Sequence, residues 1–284
     1  MKKYKKYVIV LVIISVVLLG FGYYFYNKKI KLPEDGIYLY QTKGFLSFNK
    51  EERINIPLMM ITVHDHGENP VLDYSNFKLI TSENKEININ ISNDNIKRLY
   101  NEDSRYSLSL LNAKVNDNIK SFEQDITFKS FKYINDKDKE VVRDLGEITI
   151  EFLDLNNDPK VKFENSSVLV NSAQSNLIFD LEFFVTNKYN KDIKLLNTNI
   201  GIDGITPIID TLTSSETTEG QIFSFEINEE NKIDVNSCFA YIIKPKVEWE
   251  IDETKKISTV SNSSAYATSP SKKEIIDFLW ECDK

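Results

Sequence analysis

The chain holds only two histidines and two cysteines, so these are the residues to weigh first for chemistry. His64 and His66 stand in Val63-His64-Asp65-His66-Gly67-Glu68. In extended backbone, positions i and i+2 share a face, so both imidazoles can meet one metal ion. Asp65 then points the other way, and Glu68 is the nearest acid within reach. A metal site needs a third ligand from elsewhere, and the sequence nominates none. The competing reading is the polar end of a hairpin, because Thr186-Asn187-Lys188-Tyr189 occupies a similar place later in the chain. A serine nucleophile would need one of the same histidines as its base, and there is no G-x-S-x-G elbow. Neither a G-x-x-x-x-G-K loop nor a G-x-G-x-x-G turn is present to cradle phosphate. With 43 acidic residues, no one carboxylate pair stands out for glycoside chemistry. The expectation is a non-catalytic binding protein without a cofactor; the alternatives are a metal-dependent or hydrolytic surface enzyme using His64 and His66, and an accessory subunit of a membrane complex.

Cys238 and Cys282 are far apart in sequence. Bridged, they would close a loop of about 45 residues, worth up to ~4 kcal/mol in the chain-entropy model. Unbridged, they would pack as small hydrophobes. Both readings stand on the sequence.

The element that would position all of this is Val8 to Tyr26, an uncharged apolar run. As a helix it spans roughly 28 Å, close to the hydrocarbon thickness of a bilayer. Lys2, Lys3, Lys5 and Lys6 precede it, and Lys28, Lys29 and Lys31 follow. The head charge favours a cytoplasmic N-terminus. Tyr23, Tyr24, Phe25 and Tyr26 fall where an outer aromatic belt would sit. Gly20-Phe21-Gly22 offers no A-x-A cleavage pattern, which weighs against a removed signal peptide. The expectation is a single-pass anchor with the remaining chain outside the cytoplasm.

Removing those seven lysines leaves 28 basic residues against 43 acidic ones, a net charge of −15. Such a surface repels phosphate backbones, so nucleic acid is not an expected partner. The expected partners are the membrane, through Val8 to Tyr26, and a protein or envelope ligand.

After the anchor, period-two alternation dominates and argues for strands with one buried face. Ile37 to Tyr40 and Phe45 to Phe48 read as a hairpin. Ile54 to Val63, Phe77 to Ile80, Ile87 to Ile91 and Ile126 to Ile134 read as strands, and Asn93 to Asn101 as a short helix. Asp154-Leu155-Asn156-Asn157-Asp158-Pro159 is polar and turn-forming, and serves as the expected domain boundary. Beyond it, Leu177 to Val185 and Phe223 to Ile227 alternate cleanly. Phe239 to Ile243 and Val247 to Ile251 flank a Lys-Pro-Lys turn. Ile61 to Leu79 can be laid beside Phe183 to Ile202: each is a strand, a polar turn, an apolar pair, an asparagine and a second strand. This stretch resembles the strand-turn-strand of many small immunoglobulin-like cell-surface domains, about twenty residues in each half. The resemblance implies architecture and no activity.

The fold expected is all-β outside the membrane. Residues 1–31 form the head and anchor. Residues 32–155 and 156–284 form two tandem immunoglobulin-like β-sandwiches, the second ending in a short helix. Asp252 to Ser269 reads as a polar connection. Ser271-Lys272-Lys273-Glu274 matches a capping box, and Ile275, Phe278, Leu279 and Cys282 form one helical stripe. The small apolar side of Cys238, Ala240 and Ile242 is the expected seat for that helix.

Overall fold

The computed structural model describes residues 32–283 apart from 65–75, 92–95, 101–104, 117–118, 120–123, 136, 156–157, 159, 172–177, 190, 204, 209–212, 215–219, 228–237 and 269. The expected anchor, Val8 to Tyr26, lies outside the described residues. No described helix is long and apolar enough to cross a membrane. Glu34–Lys284 forms one compact unit. It is mostly β-sheet and ends in one short helix.

The strands in chain order are β1 (Gly36–Leu39), β2 (Gln41–Asn49), β3 (Asn55–Val63), β4 (Lys78–Thr81), β5 (Glu86–Asn90), β6 (Ile96–Tyr100) and β7 (Tyr106–Val115). Then come β8 (Ile126–Ile134), β9 (Glu140–Leu153), β10 (Val161–Asn171), β11 (Ile178–Asn187), β12 (Ile193–Asn199) and β13 (Ile205–Ile208). The chain continues through β14 (Thr213–Ser214), β15 (Gly220–Ile227), β16 (Phe239–Lys244), β17 (Lys246–Ile251), β18 (Thr254–Thr259) and β19 (Ser264–Ala267) to helix α1 (Lys272–Cys282).

An eleven-stranded sheet runs β1-β3-β7-β5-β4-β8-β9-β2-β16-β19, with β6 on β7. Its inward residues form one core, from Ile37 and Leu39 through Phe128 and Phe131 to Ile148 and Ile242. Tyr133 of β8 reaches β1, where its hydroxyl accepts the Ile37 N–H at 3.0 Å. Two four-stranded sheets, β10-β11-β15-β13 and β14-β12-β17-β18, share a second core. At its centre the ring of Phe163 lies 6.4 Å from that of Trp249, whose indole N–H donates to Ser258 Oγ.

Several local expectations change. β1 and β2 do not pair as a hairpin: β1 lies on β3, whereas β2 lies parallel between β9 and β16. Alternation alone does not choose between a hairpin partner and distant parallel ones. Residues 96–100, within the expected helix, are strand β6 on the edge of β7, so pairing overrides local preference there. The polar stretch after Ile251 is not a loose connection; it holds β18 and β19. Asp252 and Glu253 both take positive φ, 50° and 63°, to make the tight turn that starts β18.

The Lys-Pro-Lys stretch does not join two paired strands. Pro245 is a corner at which the chain leaves the large sheet (β16) for a small one (β17). Consequently β16 is apolar on both faces because each face meets a different core. Ile242 enters the first, and Tyr241 and Ile243 the second. Helix α1 reaches the Cys238 end of β16, where its Glu274 and Cys282 act on the Cys238 thiol, and it also packs against Tyr38, Tyr40 and Arg143. Phe278 meets the Tyr40 ring edge-on at 6.2 Å. Arg143 stacks 3.8 Å above Tyr38 and donates to the Cys282 carbonyl at 2.8 Å. It supplies the cation that α1 lacks in its own last turn. The Ser271–Glu274 capping box forms as expected.

Two glycines make the parallel seam β9-β2-β16 feasible. A Cβ on Gly44 would stand 3.1 Å from Ile148 and 3.3 Å from Ile242, the residues paired with it on either side. Gly146 sits in a bulge of β9 at φ +88°, where a Cβ would fall 2.3 Å from the Thr42 carbonyl oxygen. Gly146→Ala is expected to cost at least about 2 kcal/mol, since it adds backbone strain to a clash with main chain. Urea unfolding with an unchanged m-value checks this; a midpoint equal to the parent's would show that the bulge tolerates a side chain.

Candidate functional site

The seam between the two cores opens to solvent in a cleft of about 330 Å³. Its floor is Phe48 and Lys244. One wall is the outward face of β3 and β7, where Asn55 lies opposite Lys114 and Pro57 opposite Asn112. Arg53 precedes that face, and Ser261, Asn262 and Ser263, between β18 and β19, make the other wall. Ser263 fixes this wall by donating to the Asn55 carbonyl at 3.2 Å.

Lys244 is the unusual member. It is 1% exposed, at the end of β16. Its ammonium donates to the Ser47 carbonyl at 2.9 Å and to Glu52 Oε2 at 2.6 Å, and lies 4.7 Å over the Phe48 ring. The third N–H has no protein acceptor among the described residues. Burial pulls the Lys244 pKa below its usual range, and the Glu52 carboxylate opposes that pull by favouring the charged form. The other Glu52 oxygen accepts the Thr259 hydroxyl. Arg53 and Lys114 are exposed at the rim, and no described acid pairs with either. Among the described residues, no carboxylate lines the cleft. On an acidic body, this is a concentrated cationic spot that also carries three side-chain amides.

A second cluster lies at Asp158, Tyr189 and Lys256, beside a cleft of about 560 Å³ that Trp249 also lines. Asp158 accepts the Tyr189 hydroxyl at 2.6 Å and the Lys256 ammonium at 2.5 Å. Burial raises the Asp158 pKa; these two donors and the Lys160 N–H outweigh it and hold the carboxyl at about 2. Asp158 thereby ties Tyr189, in the turn after β11, to Lys256 of β18.

His64 is buried at the end of β3, and its main-chain N–H donates to the Arg105 carbonyl at 2.7 Å. Neither ring nitrogen has a hydrogen-bond partner among the described residues. His66 lies outside the described residues. Among those described, no three His, Cys, Asp or Glu side chains are grouped to hold a metal.

Cys238 and Cys282 are both free thiols. Burial pushes Cys238 up to about 12, with the Tyr40 hydroxyl pulling slightly the other way, and pushes Cys282 up to about 11. Neither thiol supplies a thiolate nucleophile near neutral pH.

The cleft was not among the sequence candidates. Its basic residues come from three separated stretches, and Lys244 reads as half of an exposed turn. One signal was present: a lysine directly after five apolar residues, Phe239 to Ile243, stands where a strand is still buried.

No protein-family model matches this chain, and no curated protein does either. Among solved structures, it is similar to a protein of unknown function from Porphyromonas gingivalis W83. The match is 10% identical, has a TM-score of 0.24, and covers 79% of this chain and 97% of that one.

The thiols yield a pH test. For native protein, alkylation of Cys282 and Cys238 should still be rising with pH at pH 10, without the plateau that follows an ordinary thiol pKa near 8.5. Cys282 should react about tenfold faster, given its lower pKa and partial exposure. Mass spectrometry of iodoacetamide-treated protein follows both sites; a plateau below pH 9 at Cys238 would contradict the burial described.

Proposed function

We propose that this chain is a single-pass, membrane-anchored binding protein whose β-rich body lies outside the cytoplasm and takes its ligand in the Arg53–Lys114–Lys244 cleft. The observation that carries the reading is Lys244. A buried ammonium on the floor of an open cleft is costly, and a protein keeps such a group where a ligand or a structural partner uses it. Here the structural partner, Glu52, occupies one N–H while another remains unassigned. The amides and hydroxyls around it suit recognition of a polar ligand.

The anchor rests on the sequence of Val8 to Tyr26 and its lysine flanks. An immunoglobulin-like arrangement of β10-β11-β15-β13 and β14-β12-β17-β18 is our reading of the two small sheets closing on Trp249. It draws support from the antiparallel pairing throughout those sheets and from a buried tryptophan against a facing strand.

The test is in-cell photocrosslinking of the full-length chain, with a photoreactive residue at Asn262 on the cleft wall and, separately, at exposed Val142. Each is made with the native anchor and with an unrelated one. The expected result is a ligand captured from Asn262, not from Val142, with either anchor. Capture that is equal at both positions would remove the cleft from the account. Capture lost on anchor exchange would make the membrane segment the recognition element and the chain an accessory subunit.

A further inference from the structure

Resting on that reading, we infer that the ligand class of the cleft is a phosphorylated sugar or polyol. The phosphate is held among Arg53, Lys114 and Lys244, and the hydroxyls by Asn55, Asn112 and Asn262.

Charge comes first. Three cations meet the cleft, and one carboxylate, Glu52, pairs with Lys244 from behind. The site therefore offers two uncompensated positive charges. A phosphate monoester carries about −1.5 to −2 at neutral pH, whereas a carboxylate carries a single charge. The dianion is the closer match.

Geometry comes second. Asn55 and Lys114 are cross-strand partners, and Asn112 follows two residues before Lys114 on the same face of β7. The amides and the rim ammonium thus stand in one row on a rigid pair of strands. Lys244 approaches from below, with an N–H that has no protein acceptor among the described residues. Asn262 approaches from the opposite wall. Asparagine amides each offer donors and an acceptor, which matches vicinal hydroxyls and not a bare ion. At about 330 Å³ the cleft is at the small end of ligand sites, the scale of one sugar ring with its phosphate.

The lack of acids among the described lining residues gives the discrimination its direction. Neutral sugars gain only the amides, inorganic phosphate gains only the cations, and a sugar phosphate gains both.

The experiment is calorimetric titration of the full-length chain in a non-ionic detergent with glucose 6-phosphate, inorganic phosphate, glucose and glucuronate. The expected order places glucose 6-phosphate at least tenfold tighter than each of the other three. Its affinity should fall about tenfold between low and high ionic strength. Arg53→Ala and Lys114→Ala are exposed changes that leave the fold intact by thermal melting, and each should weaken glucose 6-phosphate about tenfold or more. A phosphorylated polyol on a polymer is separated from a free sugar phosphate by adding poly(glycerol phosphate). Competition by its chains with glucose 6-phosphate assigns the site to an envelope-linked source; failure to compete assigns it to the soluble one. Equal binding of glucuronate and glucose 6-phosphate would overturn the phosphate assignment, and so would saturable binding unaffected by both substitutions. If none of the four probes binds while Asn262 still captures a ligand in cells, the ligand class falls and the binding role stands. If both fail, the binding role falls with it.

Discussion

The structure depends on how two lysines on either side of one proline are neutralised. At Pro245 the chain turns out of the large sheet into a small one. Lys244 turns to Glu52 at 2.6 Å, and Lys246 turns to Glu151 at 2.6 Å. Ser47 ties the two pairs together: its carbonyl accepts from Lys244 and its hydroxyl donates to Glu151 at 2.9 Å. Thr259 of β18 donates to the far side of Glu52. Elements of both cores are thus joined through one polar chain, in a place where an unpaired charge would cost several kcal/mol. Such a pair is weak evidence of net stability, but its parts cannot be removed singly without penalty. It fixes where the corner lies, and hence where the cleft opens.

Around that chain, packing follows from small residues. Gly44 leaves room for Ile148 and Ile242 to close over β2. Gly201, at φ +59°, lets the chain after β12 run flat against the Phe45 ring, where a Cβ would fall 2.2 Å from it. The cores stay separate but share β16 between them, with Ile242 in one and Tyr241 and Ile243 in the other. A strand shared in this way transmits any shift of one core to the other, because neither face has slack. Arg143 completes the body at its far end by stacking on Tyr38 and capping α1.

How much of this was legible in the sequence varied with the range of the interaction. Strand β8 and the β4–β5 hairpin follow from local alternation and turn residues. Asn84 takes the positive φ that the hairpin turn needs. The capping box of α1 is likewise a local signal, realised by Ser271 and Glu274. Parallel pairing of β2 with β9 and β16 was not legible, since partners about a hundred and two hundred residues away leave no periodic trace. The seat of α1 was legible in part: Cys238 neighbours Glu274 and Cys282, whereas Ile242 on the same side enters the first core. The two apolar faces of β16 do demand cover, but a second core supplies it as well as a helix would. The cleft was the least legible feature. Arg53, Lys114 and Lys244 look like ordinary solvated lysines and arginines until the topology brings them together. Lys244 carried the only hint, a charge placed where the strand had not yet reached water.

The central claim is that the Lys244–Glu52 pair is the joint on which both cores and the cleft are set. A double-mutant cycle with Lys244→Met and Glu52→Gln, read by urea unfolding, tests it most directly. The account predicts that Glu52→Gln costs about 3–5 kcal/mol, because it strands the buried Lys244 ammonium, and that Lys244→Met costs less, because Glu52 is half-buried and keeps the Thr259 hydroxyl. It also predicts that the double variant is less destabilised than the sum by at least about 1.5 kcal/mol. Additive effects, or a Glu52→Gln change that costs less than about 0.5 kcal/mol, would contradict it and leave the joint to hydrophobic packing alone.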